Sequence, residues 1–150
     1  MVTIRSMDLE DTVEVYKLGK VAFIDENKDK ESFAYSYWSL SAVVNFVENY
    51  IDLTFVAEDN DEIVGFVLGH PTYEKMELGY LEWVAVKSTH RKLGVAIKLI
   101  DAIQQAFVAR GLNSIVTDIK QDNIASLSLF EKKFGFKVIE SINFLKKDLS

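Results

Sequence analysis

Leu81-Glu82-Trp83-Val84-Ala85-Val86-Lys87-Ser88-Thr89-His90-Arg91-Lys92-Leu93-Gly94-Val95-Ala96 runs from a strand pattern, through a short polar loop, into a helix pattern. Gly79 to Val86 predicts a buried strand. The loop ends in Arg91-x-x-Gly94-x-Ala96. From about Gly94 to Arg110, Ala96, Leu99, Ile100, Ile103, Ala106 and Phe107 fall on one helical face, with Lys98, Asp101, Gln104 and Gln105 on the other. Gly111 is placed to end that helix in a left-handed conformation. The first N–H groups of a helix lack partners within it and carry a partial positive charge. Small residues at 94 and 96 let a ligand approach this backbone, and Arg91 and Lys92 add full charges. A phosphate or pyrophosphate is the natural occupant. Gly94 alone could equally ease the loop into the helix. Two nucleotide-binding patterns are missing: no Gly-Lys-Ser/Thr occurs, and no Gly-x-Gly-x-x-Gly follows the first strand.

Outward from this block, the chain alternates between two periods. Towards the N-terminus, Val2 to Arg5 predicts a strand, and Asp8 caps a helix over about Leu9 to Phe23. Residues 24–36 are charged and irregular. A second helix is predicted from about Ser39 to Tyr50, then strands at Leu53 to Glu58 and Glu62 to His70, joined through the turn residues Asp59-Asn60-Asp61. Towards the C-terminus follow a strand at Ser114 to Ile119, a helix over Asn123 to Lys133, and strands at Phe136 to Ser141 and Asn143 to Lys147. The expectation is one mixed α/β domain over 1–150. It has a central, mostly antiparallel sheet of about seven strands, flanked by about four helices.

Composition narrows the function. The 150 residues are 49% hydrophobic and 27% charged, a globular balance. A formal net charge of −6 disfavours nucleic acid as a partner. The absence of cysteine excludes thiolate catalysis, disulfides and cysteine-ligated metals. His70 and His90 stand apart and form no metal-ligand pattern. No stretch approaches the ~20 apolar residues that span a bilayer, and no secretory leader is visible, so the expected location is cytoplasmic.

Arg91-x-x-Gly94-x-Ala96 resembles the Gln/Arg-x-x-Gly-x-Gly/Ala motif of the GNAT N-acetyltransferase superfamily. The resemblance covers most of the chain and is strongest from Gly79 to Phe136. There the preceding strand, the motif, and a later Asn123-x-x-Ser126 helix ending in Gly135-Phe136 occur in order. It implies a GNAT-like acyl-coenzyme A N-acyltransferase fold. It also implies an acetyltransferase that passes the acetyl group of acetyl-coenzyme A to a primary amine, by direct attack in a ternary complex and without a metal. Backbone N–H groups of Lys92, Leu93, Gly94, Val95 and Ala96 would hold the pyrophosphate, with Arg91 beside them. In such proteins the strand before the motif splays from the next strand at a bulge, and the pantetheine arm pairs with the exposed main chain. That places it along Val84, Ala85 and Val86, with the Val84 amide aimed at the thioester carbonyl. Asn123 corresponds to a family asparagine that contacts the cofactor, and Phe130 would pack against it.

The chemistry requires the acceptor ammonium to lose a proton and the departing thiolate to gain one. Glu82 is the candidate base, two residues before Val84. Period-2 alternation would place Tyr80, Glu82, Val84 and Val86 on one face. The alternative is a structural or substrate-anchoring carboxylate. Many relatives carry a tyrosine where this chain has Phe130, within Phe130-Glu131-Lys132-Lys133-Phe134-Gly135-Phe136, so either a water or another residue, Tyr73 and Tyr80 being conceivable, protonates the thiolate, or no dedicated acid exists. Phe33, Tyr35, Tyr37 and Trp38 read as core, or by resemblance as a wall of the acceptor pocket. Glu74 and Glu77 could attract an amine or simply be solvated. The acceptor is expected to be an amine-bearing small molecule or peptide, with no membrane partner; a homodimer is left open. The rival reading is a non-catalytic acyl-coenzyme A-binding module or sensor on the same fold.

Overall fold

Apolar residues at every second position give strands their two faces, and here both faces are covered. The computed structural model describes residues 1–33, 35–72 and 77–150. Their contacts group into two units, Met1–Thr117 and Asp118–Ser150. In the first unit the strands are β1 (Val2–Ser6), β2 (Thr54–Asp59), β3 (Glu62–Pro71), β4 (Leu78–Val86) and β5 (Ser114–Val116). They lie side by side in sequence order. β1 to β4 run antiparallel, and β5 joins parallel to β4. The helices are α1 (Thr12–Gly19), α2 (Leu40–Asn49) and α3 (Val95–Ala109), with α4 (Ile124–Lys132) in the second unit.

The predicted first helix is present in extent but not in uniform winding. A 3₁₀ turn at Leu9–Asp11 leads into α1, and a π turn at Lys20–Ile24 follows it. Asp8 and Asp11 close a reciprocal cap: Glu10 N–H donates to Asp8 at 3.0 Å, and Asp8 N–H to Asp11 at 2.9 Å. Arg5 grips the same Asp11 through two bonds of 2.8 and 2.9 Å, and this pairing holds the carboxyl below its ordinary range.

Beneath α1 and α2 lies an aromatic cluster. Trp38 stacks on Phe66 at 5.4 Å and meets Phe23 and Trp83 edge-on at 5.1 Å each. Its indole N–H donates to the Tyr16 carbonyl at 3.0 Å. Of the four aromatics expected to act together, Trp38 is buried and Tyr35 packs against the core, whereas Phe33 and Tyr37 are exposed. On the opposite face α3 presses close. A Cβ at Gly69 would come within 2.6 Å of Ile103, and one at Gly79 within 2.7 Å of Phe107.

The C-terminal expectation is corrected. β5 is three residues long, and neither 136–141 nor 143–147 forms a strand, so the described residues hold five strands where about seven were expected. Alternating apolar residues make a strand only when a neighbouring ladder pairs the backbone and something covers the apolar face. Val138, Ile142 and Phe144 are each more than 60% exposed. The pattern is there, but its cover is not.

Candidate active site

β4 is paired on both edges only at its beginning. Leu78, Gly79 and Tyr80 register with Ser114, Ile115 and Val116 of β5, and Thr117 Oγ1 donates to the Leu81 carbonyl at 2.8 Å. Beyond Leu81, among the described residues, β4 has no ladder on the β5 side. On its other edge it stays bonded to β3, and Lys87 N–H continues the ladder to the Val64 carbonyl at 2.8 Å. In an antiparallel pair the residues that bond across alternate with those that do not. Ala85 and Trp83 therefore face β3, and the peptide groups of Val84 and Val86 project into the open edge. The Val86 carbonyl accepts from Arg91 Nε at 3.1 Å.

This edge runs into the turn that starts α3. Lys92 has φ +64° and Gly94 φ +80°, a left-handed pair that bends the backbone inwards on itself. A Cβ built at Gly94 meets nothing within 4 Å, so only the backbone angle asks for glycine there. Gly94 caps α3 without a side-chain bond, and the first main-chain bond into the helix runs from Lys98 N–H to the Gly94 carbonyl at 3.2 Å. Among the described residues, no main-chain bond of ordinary hydrogen-bond geometry runs from the amides of Lys92 to Ile97. Arg91, Lys92 and Leu93 are exposed, so the turn is open to solvent. These amides, the open space beside Gly94 and the cation on Lys92 form a turn that could hold an anionic group.

Arg91, expected beside the diphosphate, has protein partners on both sides of its guanidinium. Its Nη2 is bonded to both oxygens of Glu26, at 3.1 and 2.9 Å, while its Nε holds the Val86 carbonyl. The loop before the turn is pinned elsewhere too. His90 Nε2 lies 2.8 Å from Asp59, and Lys87 pairs with Glu62. A cavity of about 600 Å³ flanks Arg91, Glu26 and Lys87 but touches neither Glu82 nor residues 92–96. Its cations Arg5, Lys17, Lys87 and Arg91 are each matched by a carboxylate, so it offers no unmatched cation to an anionic ligand.

Glu82 sits in a bulge. Leu68 of β3 faces Trp83, and the next residue, Gly69, faces Leu81, so Glu82 is an extra residue in β4. Cross-strand partners share a face. Val84 and Val86 oppose Val67 and Gly65; a Cβ on Gly65 would meet Leu99 and Val95, so this is the α3 face. Tyr80 opposes His70, which packs on Phe46 of α2. Tyr80 and Glu82 thus lie on the α2 side, and Val84 and Val86 on the other. The expected common face for all four is wrong, because the bulge resets the alternation between Leu81 and Trp83.

Glu82 Oε2 lies 2.9 Å from His70 Nε2, in a partly buried contact with the imidazole only 15% exposed. The ring is held flat against Tyr80 (5.5 Å, 11°) and flanked by Tyr50 and Phe46. Hydrogen bonding to Glu82 raises the His70 pKa above its ordinary value, against an opposing effect of burial.

In the second unit, Asn123 accepts from Ser126 N–H at 3.2 Å and caps α4, a local reason for the Asn-x-x-Ser spacing. Phe130 is buried against Phe134 and Phe136. Tyr73 and Glu74 fall outside the described residues. Among the described residues, no three histidine or acidic side chains gather as metal ligands.

Residues 12–136 match the Acetyltransferase (GNAT) family. The chain belongs to the GNAT acetyltransferase family. This GNAT chain is 29% identical over 128 residues to an L-2,4-diaminobutyric acid acetyltransferase of Nocardia farcinica, covering 85% of this chain and 61% of the relative. It is 37% identical over 89 residues to the NAA10 catalytic subunit of the N-terminal acetyltransferase A complex of Arabidopsis thaliana, covering 57% and 46%. The chain spans less than two thirds of the length of these relatives. Among solved structures, Ard1 of Thermoplasma volcanium shares the fold at a TM-score of 0.77 and 21% identity, over 93% of this chain and 84% of that one.

Within this GNAT frame, the sequence motif marked the turn and the strand end, and the structure brings them together along one edge. The sequence did not reveal His70 as the partner of Glu82. The one available signal was His70-Pro71 at the end of a strand, where a histidine side chain lies across from β4.

Proposed function

We propose that this chain is an acetyl-coenzyme A-dependent N-acetyltransferase acting on a primary amine. One observation carries the reading: the edge of β4 opens after Leu81 and leads into the left-handed turn at 92–94, whose amides are unpaired. The amides of Lys92 to Ala96 hold the diphosphate of the cofactor. The Val84 peptide group and the Val86 N–H pair with its amide-bearing arm, and the Val84 N–H polarises the thioester carbonyl. Coenzyme A supplies the activated acetyl thioester. Glu82 accepts a proton from the acceptor ammonium, and its carboxylate also attracts that cation. Relatives named for diaminobutyrate and for protein N-termini both act on amines, which supports this acceptor class.

The test is thiol release from acetyl-coenzyme A with 2,4-diaminobutyrate, a polyamine, an aminoglycoside and a peptide bearing a free N-terminus. Turnover of at least one, lowered by Glu82→Gln with cofactor affinity kept, is the expected result. The second reading, a coenzyme A-binding sensor, is favoured by Phe130, which has no proton to give. Binding without turnover across that panel would select it. In either case, ligand at ~100 times its dissociation constant adds about 2.7 kcal/mol to stability.

A further inference from the structure

The protons at His70 can be counted from its contacts. Nδ1 lies 2.7 Å from the Pro71 carbonyl oxygen, which can only accept, so Nδ1 carries a hydrogen. Nε2 lies 2.9 Å from Glu82 Oε2. A bare ring nitrogen and a bare carboxylate oxygen repel at that distance, so the contact contains a second proton. Whether it is written as imidazolium with carboxylate or as imidazole with carboxylic acid, one proton belongs to the pair.

The ring cannot turn away to give up this arrangement. Tyr80 lies parallel to one face at 5.5 Å, and Tyr50 and Phe46 pack at 5.8 and 5.9 Å. Among the described residues, the ionisable groups facing His70 are Glu82 and Tyr80 from β4 and Tyr50 just after α2. Arg110 lies over the Tyr50 ring, 5.8 Å from its centre. Glu82 is the only carboxylate of that set. The bulge is what brings it here, since in an unbroken β4 the residue before Trp83 would face α3.

We propose that His70 and Glu82 form a proton-accepting dyad, in which Glu82 takes a proton from the acceptor ammonium and His70 receives it from Glu82. The inference rests on the reading of Glu82 as the base. His70 is a positioning residue that acts through Glu82. An N–H bond of the ammonium breaks and an O–H bond forms at Glu82 Oε1. The accepting form is the pair after its shared proton has left to solvent; a half-turn of the carboxyl group then brings the new hydrogen to the Nε2 contact and restores the one shared proton of the pair. The amine attacks the thioester carbonyl, a C–N bond forms and the C–S bond breaks. The thiolate gains one proton and the new amide nitrogen loses one. The dyad resets by releasing its proton to solvent, so each turnover yields one proton. A lone carboxylate is a weak base for an amine; a carboxylate backed by imidazole has a second acceptor for the proton and so holds it more tightly, which makes the pair the better general base.

The experiment combines ring-nitrogen NMR titration of His70 with pH profiles of kcat/KM, using the panel amine that turns over fastest. The wild-type acid limb should coincide with the His70 midpoint, and Glu82→Gln should lower that midpoint. His70→Gln, which keeps a donor but cannot titrate, should displace the acid limb to lower pH, because the imidazole that binds the proton is gone. It should also cut kcat/KM at pH 8 by about tenfold, with the dissociation constant for coenzyme A unchanged. An acid limb that ignores the His70 midpoint, or a wild-type profile in His70→Gln, overturns the dyad. Should His70→Gln not fold, the wild-type comparison of midpoint and limb still decides. If Glu82→Gln keeps the full wild-type rate and profile, Glu82 is not the base, and that outcome is separate from loss of the His70 effect alone.

Discussion

Leu81 and Trp83, two residues apart on β4, point to opposite faces of the sheet. Leu81 pairs with Gly69, whose face is pressed by Ile103 and Phe107, whereas Trp83 pairs with Leu68 and packs on Phe23 and Trp38. The residue between them is Glu82. A strand that reverses its faces at one point also re-aims the side chain at that point. Here it turns a carboxylate towards His70 and, just beyond it, leaves the Val84 amide on the open edge.

The pairing of His70 with Glu82 makes stability depend on pH. The folded-state pKa of His70 is raised by its bond to Glu82. Stabilisation from a raised pKa is fully present below the ordinary histidine value of 6.5 and is lost as pH rises through the folded value. Glu82→Gln should therefore destabilise the protein more at pH 5.5 than at pH 9. The difference should be about 1 kcal/mol, kept small because Glu82 is partly exposed. Denaturant unfolding at the two pH values reads it; equal penalties at both would exclude a proton-linked contact.

Gly94 and Gly111 provide a matched pair for testing the cradle. Both have positive φ, +80° and +84°, and a Cβ at either meets nothing within 4 Å. Glutamate at either position costs a similar backbone strain of about 1–2 kcal/mol. Only Gly94 lies among the unpaired amides, so Gly94→Glu should raise the dissociation constant of coenzyme A at least a hundredfold, while Gly111→Glu should leave it within about twofold. Calorimetric titration of both variants checks this. Equal affinities would move the diphosphate away from the turn.

The turn was legible in the sequence because its requirements are local. A left-handed Gly94, a small Ala96 and an amphipathic run to Ala109 each leave a mark within a few residues. The β2–β3 hairpin was legible for the same reason: Asn60 and Asp61 both adopt positive φ, as Asp59-Asn60-Asp61 suggested. The bulge at Glu82 was hidden. Both faces of β4 are covered, one by α3 and the other by the α1–α2 side. Leu81 and Trp83 are therefore both buried, and buried and less buried residues alternate along β4 as in a regular strand. Only pairing with β3 reveals the inserted residue, and pairing is a long-range property. The two missing C-terminal strands failed for the converse reason, since their alternation was local and their cover was not.

Trp38 tests the core beneath α1. It is 5% exposed, stacks on Phe66 and donates its N–H to the Tyr16 carbonyl. Trp38→Ala should cost about 3–5 kcal/mol, which for a chain of this size lowers the melting temperature by roughly 10 °C. The coenzyme A affinity of the fraction still folded should be unchanged, because Trp38 lies on the face opposite Val84 and Val86. A thermal melt paired with a binding titration checks both halves.

Val84 allows the main-chain donor itself to be removed. In most strands proline breaks the ladder, because it deletes an N–H that a neighbouring strand needs. At Val84 the N–H points away from β3 into the open edge, so no ladder bond depends on it. Trp83, just before it, is already extended, as a residue preceding proline must be. Val84→Pro should therefore fold with a melting temperature near wild type. Coenzyme A should still bind through the turn at 92–96, within about tenfold of wild type, since one pairing along the arm is lost. Turnover should drop much further, by about a hundredfold, because one preorganised donor to a developing oxyanion is worth that much. Proline at Ala85 is the contrast: its N–H faces β3, so the same substitution there should unfold the strand. A folded Val84→Pro enzyme with wild-type kcat would place the thioester carbonyl elsewhere on the edge.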